Sequence, residues 1–103
     1  MPPSRISAIA REGAVELSWR NSVDTDTAGY LVYYGTSSGE YFGECAILGK
    51  SPIDAGKRTS LRIDGLENGV LYYFAVAAYD RPNPYHVGEF SREVTARPLR
   101  MAE

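Results

Sequence analysis

Residues 66–79 read LENGVLYYFAVAAY, and this stretch decides the fold. Residues 71–79 are rich in aromatic and small apolar side chains on both faces of a period-two alternation, which is typical of a central β-strand. The polar segment 67–69 before it is a turn. Tyr72 follows Leu66 by six positions across that turn, so its hydroxyl is placed to bond backbone where the chain changes sheets. The stretch therefore predicts a corner followed by a central strand of a β-sandwich.

The same alternation recurs along the chain, for example in residues 14–20 (AVELSWR). Segments rich in Gly, Pro, Asp and Asn predict loops at residues 21–29 and 81–88, and a loop or an irregular edge at residues 49–56. Such spacing in 103 residues predicts an all-β, immunoglobulin-like fold: a seven-stranded antiparallel Greek-key β-sandwich. It forms a single domain over residues 1–103, with a core at about residues 4–98. The seven strands are predicted at residues 5–10, 14–20, 30–34, 40–48, 59–63, 71–79 and 89–97.

Charge and cysteine content exclude several classes of partner. Thirteen acidic and eleven basic residues are spread without a block of like sign, which argues against nucleic acid as a partner. The longest apolar stretch, residues 70–79, is too short to insert into a membrane as a spanning helix. Cys45 is the only cysteine, so neither an internal disulfide nor a cysteine-based zinc site is expected.

Residues 1–5 have no apolar signal-peptide core. The chain is therefore cytoplasmic or a domain of a longer exported protein, and we favour the second.

No set of residues with catalytic spacing is visible. His86 is the only histidine and stands in a predicted loop without an acid or nucleophile beside it. Asp24 and Asp26 alternate with threonines as in a calcium loop, but the further ligands of such a loop are missing, so turn caps are the favoured reading. We expect no catalytic residue, no cofactor and no metal.

Four motifs in order resemble the fibronectin type III family, in a bacterial-type member. These are Trp19 on the second strand, GYLVYY at residues 29–34, Leu66-x-x-Gly69-x-x-Tyr72-x-Phe74-x-Val76-x-Ala78, and the closing GEFSREVTARP at residues 88–98. The cytokine-receptor Trp-Ser-x-Trp-Ser motif and the integrin-binding Arg-Gly-Asp triplet are absent, so neither activity is implied. The resemblance implies a structural core of Trp19, Tyr30, Val32, Leu66, Tyr72, Phe74 and Val76.

The residues between these core positions predict a partner surface. On strands that are neighbours in the fibronectin-like topology, the outward positions are apolar and rich in tyrosine, a residue enriched where proteins meet. An alternative stays open, in which long side chains such as Arg92 or Glu93, or a loop, cover this face. The candidate partner surface comprises Leu31, Tyr33, Tyr73 and Tyr79, with the loop residues Tyr85 and His86.

These features predict a non-catalytic binding or spacer module that contacts other proteins or neighbouring domains within a larger, exported bacterial protein. Its location would then be extracellular or at the cell surface. One alternative is a carbohydrate-binding accessory of a polysaccharide-active enzyme, with Tyr79, Tyr85 or Tyr41 stacking on sugar rings. Another alternative is a passive linker without a partner.

Overall fold

A computed structural model describes residues 4–20, 27–41, 43, 51, 53–82 and 85–99. The strands, in chain order, are β1 (Ser4–Arg11), β2 (Ala14–Arg20), β3 (Gly29–Gly35), β4 (Ile53–Gly56), β5 (Ser60–Asp64), β6 (Tyr72–Pro82), β7 (Tyr85–Phe90) and β8 (Val94–Ala96). One sheet has the order β1-β2-β5 and the other β4-β3-β6-β7, with β8 also paired to β6. All pairings between these strands are antiparallel. The prediction of an all-β antiparallel sandwich is confirmed, but its strand count of seven is wrong because eight strands form in the described part of the chain.

The segment 49–56, which was predicted to be a loop or an irregular edge, contains an edge strand, β4. Its Ile53 and Ala55 are buried while Asp54 between them is exposed, so the alternation of a strand is present over four residues. The proline and the glycines in this run had left both interpretations open. Because β4 lies at the edge of its sheet, only one of its sides forms backbone hydrogen bonds with another strand. An edge strand therefore tolerates proline and glycine.

The end of the chain also differs from the prediction. Residues 81–82 and 85–88 were predicted to be part of a loop but belong to strands, because β6 continues to Pro82, which pairs with Tyr85 at the start of β7. The single strand predicted at residues 89–97 is two strands. Ala77 on β6 pairs with Phe90, and Phe74 on β6 pairs with Val94. These two pairs are three residues apart along β6 but four residues apart along the segment from β7 to β8. This extra residue is a bulge, and it separates β7 from β8.

The strand predicted at residues 40–48 is not found where it is described. Glu40 forms only an isolated bridge with Ser37. Residues 44–48, including Cys45, lie outside the described residues, as do Asp24 and Asp26.

The space between the sheets is filled by the residues that the family resemblance implied. All seven are at most 5% exposed and belong to one buried cluster. The Trp19 ring meets the Tyr30 ring edge-on, with centroids 5.8 Å apart, an arrangement that stabilises aromatic pairs beyond the area they bury. Tyr30, on the second sheet, and Trp19, on the first, therefore join the two layers directly.

The corner before β6 has the predicted geometry. The Glu67 N–H donates to the Tyr72 hydroxyl oxygen at 2.9 Å, and Gly69 has a φ of +86°. The side-chain oxygen of Asn68 accepts from the Gly13 N–H at 2.7 Å, which ties the corner to the β1–β2 turn. The corner thus fixes where β6 starts relative to the first sheet.

We expect Tyr72→Phe to lower the free energy of unfolding by about 1 kcal/mol, because the Glu67 N–H loses its acceptor. Tyr73→Phe is the matched control, since Tyr73 is the next residue and faces away from the core. Urea denaturation of both variants measures the difference. Equal stabilities would show that the corner bond contributes nothing.

Candidate functional site

The outer face of the second sheet is formed by alternate residues of β3 and β6. The register places Tyr33 opposite Ala75, Leu31 opposite Ala77, and Gly29 opposite Tyr79. This face was predicted to be an accessible tyrosine stripe. The prediction is wrong for two of its members, because Leu31 is 2% exposed and Tyr79 is 5% exposed.

Tyr79 is buried because its ring crosses the face of the sheet. Its hydroxyl donates to Asp54 Oδ1 on β4 at 2.7 Å, two strands away, and the Gly56 N–H donates to the same oxygen at 2.8 Å. The ring passes over Gly29, where a β-carbon would overlap with the phenol. Leu31 is the next outward residue along β3 and is buried at this end. The β4 side of the outer face is therefore closed.

The other side of this face carries an aromatic cluster, which we define as Tyr33, Tyr41 and Phe90. The ring centroid of Tyr33 lies 4.7 Å from that of Phe90 and 6.2 Å from that of Tyr41, and the rings of Tyr41 and Phe90 are 5.9 Å apart. Phe90 is 47% exposed, and nearby Val87, on the same face of β7, is 37% exposed. Tyr33 and Tyr41 are half-buried. The cluster is therefore a packed aromatic platform whose most accessible ring is Phe90.

One carboxylate, Glu93, holds the platform in place. Glu93 Oε1 accepts from the Tyr41 hydroxyl at 2.7 Å and from the Gly39 N–H at 3.0 Å, while Oε2 accepts from the Ser38 hydroxyl at 2.7 Å. These bonds join the segment after β3 to the bulge between β7 and β8. They fix the position of the Tyr41 ring beside Phe90.

The bonds also shift the pKa values of both partners. Hydrogen bonding from Tyr41, and then from Ser38, lowers the pKa of Glu93 below its ordinary value. Burial, followed by the bond to Glu93, raises the pKa of Tyr41 to about 12. At neutral pH the pair is therefore a carboxylate and a neutral phenol, the combination that the bond requires.

The residues predicted to form the partner surface lie in different environments. Tyr33 is part of the cluster, and so is Tyr41, which was predicted to stack on sugars. Tyr73 lies half-buried on the same face, and no ring contact joins it to the cluster in the described part of the chain. Tyr85 and His86 belong to β7, and their side chains lie outside what is described.

Sequence reasoning missed Phe90, Val87 and the full role of Glu93. Phe90 stood in a predicted strand, but the bulge after it breaks the alternation by which its face could have been assigned. The alternative that Glu93 or a loop covers the face is partly correct. Glu93 holds the Tyr41 segment against it, yet Phe90 stays accessible.

The outer face of the first sheet is different in character. Arg11 and Arg62 form exposed ion pairs with Glu16 at 3.3 and 3.2 Å, and Arg62 also pairs with Asp64 at 2.8 Å. Exposed pairs of this kind stabilise little and leave the face polar.

Two other kinds of site have no support among the described residues. No group of three or more His, Cys, Asp or Glu side chains in residues 4–20, 27–41, 43, 51, 53–82 and 85–99 is placed to hold a metal ion. Nor do these segments contain a helix with the length and apolarity needed to span a bilayer.

Two packed antiparallel sheets, a corner tyrosine and an aromatic outer face define an immunoglobulin-like sandwich module. The family model described as the fibronectin type III domain matches residues 1–96, and this chain belongs to that family. Such domains are generally non-catalytic binding or spacer modules of larger proteins. No protein with a curated description matches the chain.

Solved structures show the same fold at low sequence identity. The fn3 domain of human contactin 1 is 12% identical, with a TM-score of 0.77 over 100% of this chain and 81% of that one. An Fn3-like protein from Clostridium thermocellum is 19% identical, with a TM-score of 0.73 over 100% of this chain and 97% of that one. The β-1,2-glucanase from Parabacteroides distasonis is 20% identical, with a TM-score of 0.72, and the match covers 98% of this chain and 13% of the glucanase.

We expect the bonds to Glu93 to make stability depend on pH. Because the pKa of Glu93 is lowered by folding, its contribution is full above the ordinary glutamate range and is lost as the pH falls through the lowered value. Glu93→Gln should therefore destabilise the domain at pH 7, and the difference from the unsubstituted chain should shrink below about pH 4. Thermal unfolding from pH 7 to pH 3 measures it.

Glu12→Gln is the control for this experiment, because Glu12 is an exposed acid in the β1–β2 turn. We expect it to change stability little at any pH. A Glu93→Gln effect that is constant across the pH range would contradict the assigned role of the carboxylate.

Proposed function

We propose that this domain binds a neighbouring domain or another protein through the aromatic cluster, as a non-catalytic module of a larger, exported bacterial protein. The observation that carries the proposal is the accessible Phe90 ring, packed on Tyr33 and Tyr41 and bordered by Val87. An apolar group of this kind at the surface of a folded domain gains free energy when a partner removes it from water.

The rigidity of the cluster favours binding. Each ring contacts the other two, and the Tyr41 hydroxyl is held by Glu93. Side chains that are already ordered lose little conformational entropy when a partner binds. The cluster therefore offers a preformed contact area, and such aromatic anchors dominate many interfaces.

A bacterial setting is supported by the Fn3-like protein from Clostridium thermocellum, and a place in a larger protein by the match to a small part of the glucanase from Parabacteroides distasonis. An extracellular or cell-surface location fits a family whose domains are often extracellular. In that setting, the domain would join or position other parts of the protein.

A second candidate function is glycan binding as an accessory of a polysaccharide-active enzyme. It is favoured by the presence of Tyr41 and Phe90 in one exposed platform, since sugar rings stack on aromatic faces, and by the fold shared with a part of a β-1,2-glucanase. Migration in gels that contain soluble β-1,2-glucan tests it. Glycan binding requires retardation that Phe90→Ser abolishes and Ile9→Ser, on the opposite sheet, does not.

For the protein-binding proposal, we expect a photoreactive benzophenone amino acid in place of Phe90 to give a discrete protein adduct in cells that produce the protein. The same amino acid in place of Ile9 is the matched control, because Ile9 is 48% exposed and lies on the other sheet. Mass spectrometry of the adduct identifies the partner. If neither position gives an adduct, or both give the same one, the cluster is not a docking site, and a passive linker is the better description.

A further inference from the structure

Glu93 differs from the carboxylates on the opposite face of the sandwich in having no cationic partner among the described residues. Glu16 and Asp64 are paired with arginines at 2.8 to 3.3 Å. Among the described ion pairs none includes Glu93, although Arg92 is its neighbour in sequence and is exposed. The pKa of Glu93 is lowered by hydrogen bonds alone. Its negative charge is therefore not balanced within the described part of the chain.

An accessible aromatic cluster lies beside this charge. The Tyr41 hydroxyl donates to Glu93, and the Tyr41 ring packs on Phe90 with the ring centroids 5.9 Å apart. Phe90 is the most accessible member of the cluster, at 47% exposure, and the face of an aromatic ring carries a negative quadrupole. A carboxylate and an exposed aromatic side chain therefore lie close together, and both attract a cation.

The carboxylate retains capacity for one more hydrogen bond. An ionised carboxylate offers about four lone-pair positions. Three are used in Glu93, because Oε1 accepts from Tyr41 and Gly39, and Oε2 accepts from Ser38. The remaining position is on Oε2 and suits one further N–H donor.

We propose that the aromatic cluster and Glu93 together bind a guanidinium group, supplied by an arginine side chain of the partner protein. A guanidinium is planar and weakly hydrated, so it stacks on an aromatic ring while its edge donates a hydrogen bond. A lysine ammonium lacks the plane for stacking, and a neutral sugar can donate a hydrogen bond to the carboxylate but does not balance its charge. The inference rests on the proposed function, namely that the partner is a protein, and adds the side chain that it inserts.

The strength of this contact follows from its exposure. Cation–π contacts and ion pairs at exposed sites are each weak, so one arginine alone should bind with a dissociation constant on the order of millimolar or weaker. The site would thus select the register and identity of the partner, while the apolar surroundings of Phe90 contribute most of the contact area.

The test uses the tripeptide acetyl-Gly-Arg-Gly-amide, titrated into the isotopically labelled chain at low salt. We expect the ring resonances of Phe90, Tyr33 and Tyr41 to shift progressively, and those of Trp19 to stay in place because its ring is buried. The citrulline tripeptide, which has the same shape without the charge, should bind about fivefold more weakly or worse. The lysine tripeptide should fall between them.

Two variants separate the charge from the aromatic face. Glu93→Gln should weaken arginine binding by about fivefold, whereas the exposed remote acid changed in Glu12→Gln should leave it unaltered. Phe90→Leu keeps an apolar side chain over the sheet and removes the π face, so it should also weaken binding while the chain stays folded. This second variant keeps the test decisive if Glu93→Gln disturbs the Tyr41 segment.

Equal shifts with arginine and citrulline, or arginine binding that neither variant weakens, would overturn the guanidinium proposal. A protein adduct at position 90 together with no arginine binding would leave the docking role standing and reject only the cation. Arginine binding without any adduct would reject the docking role instead. Retention on β-1,2-glucan without arginine binding would favour a glycan as the occupant and contradict the proposal.

Discussion

Strand β6 carries apolar side chains on both faces, and both faces must be covered for the strand to be stable at the centre of its sheet. The inward side is covered by the first sheet, through residues such as Phe74 and Val76, which are fully buried. The outward side has no second layer of strands over it in the described fold. Ala75 and Ala77 are nevertheless only 1% and 0% exposed. Other side chains on the outer face must therefore cover Ala75 and Ala77.

The cover is formed by aromatic side chains on the outer face of the sheet. At one end, the Tyr79 ring spans from β6 across Gly29 to Asp54, and the absence of a side chain at Gly29 makes room for it. Farther along, Tyr33 stands opposite Ala75 and Phe90 opposite Ala77. The first end is closed by a hydrogen bond to the edge strand. The second is open, because nothing described lies over Phe90, so the face that completes the sheet also presents a binding platform.

Local patterns predicted much of the fold correctly. Alternation along residues 14–20 and 71–79 located two strands, and the spacing of Leu66, Gly69 and Tyr72 predicted the corner, because these features depend on residues close in sequence. The edge strand β4 was predicted only as one of two alternatives, a loop or an irregular edge, because its four alternating residues lie in a run rich in proline and glycine. The split between β7 and β8 depends on one extra residue relative to β6, which no single segment reveals.

The candidate site was predicted only in part, because its members come from distant positions. Tyr33 and Tyr41 were named as candidates and lie together in the cluster, but Glu93 meets Tyr41 across 52 positions, and such contacts leave no local signal. Tyr79 was wrongly assigned to the accessible surface, since its burial requires Gly29 and Asp54 on two other strands. Period-two alternation assigns a side chain to a face, but it does not tell whether neighbouring side chains cover it.

One end of this outer face is closed by Tyr79, and the other end is open at Phe90. The most direct measurement is the relaxation of aromatic ring protons by a soluble gadolinium chelate, detected by NMR. The predicted result is strong relaxation of Phe90, intermediate relaxation of Tyr33 and Tyr41, and protection of Tyr79 to the level of the core residue Tyr30. Relaxation of Tyr79 as strong as that of Phe90, or protection of Phe90, would contradict the account.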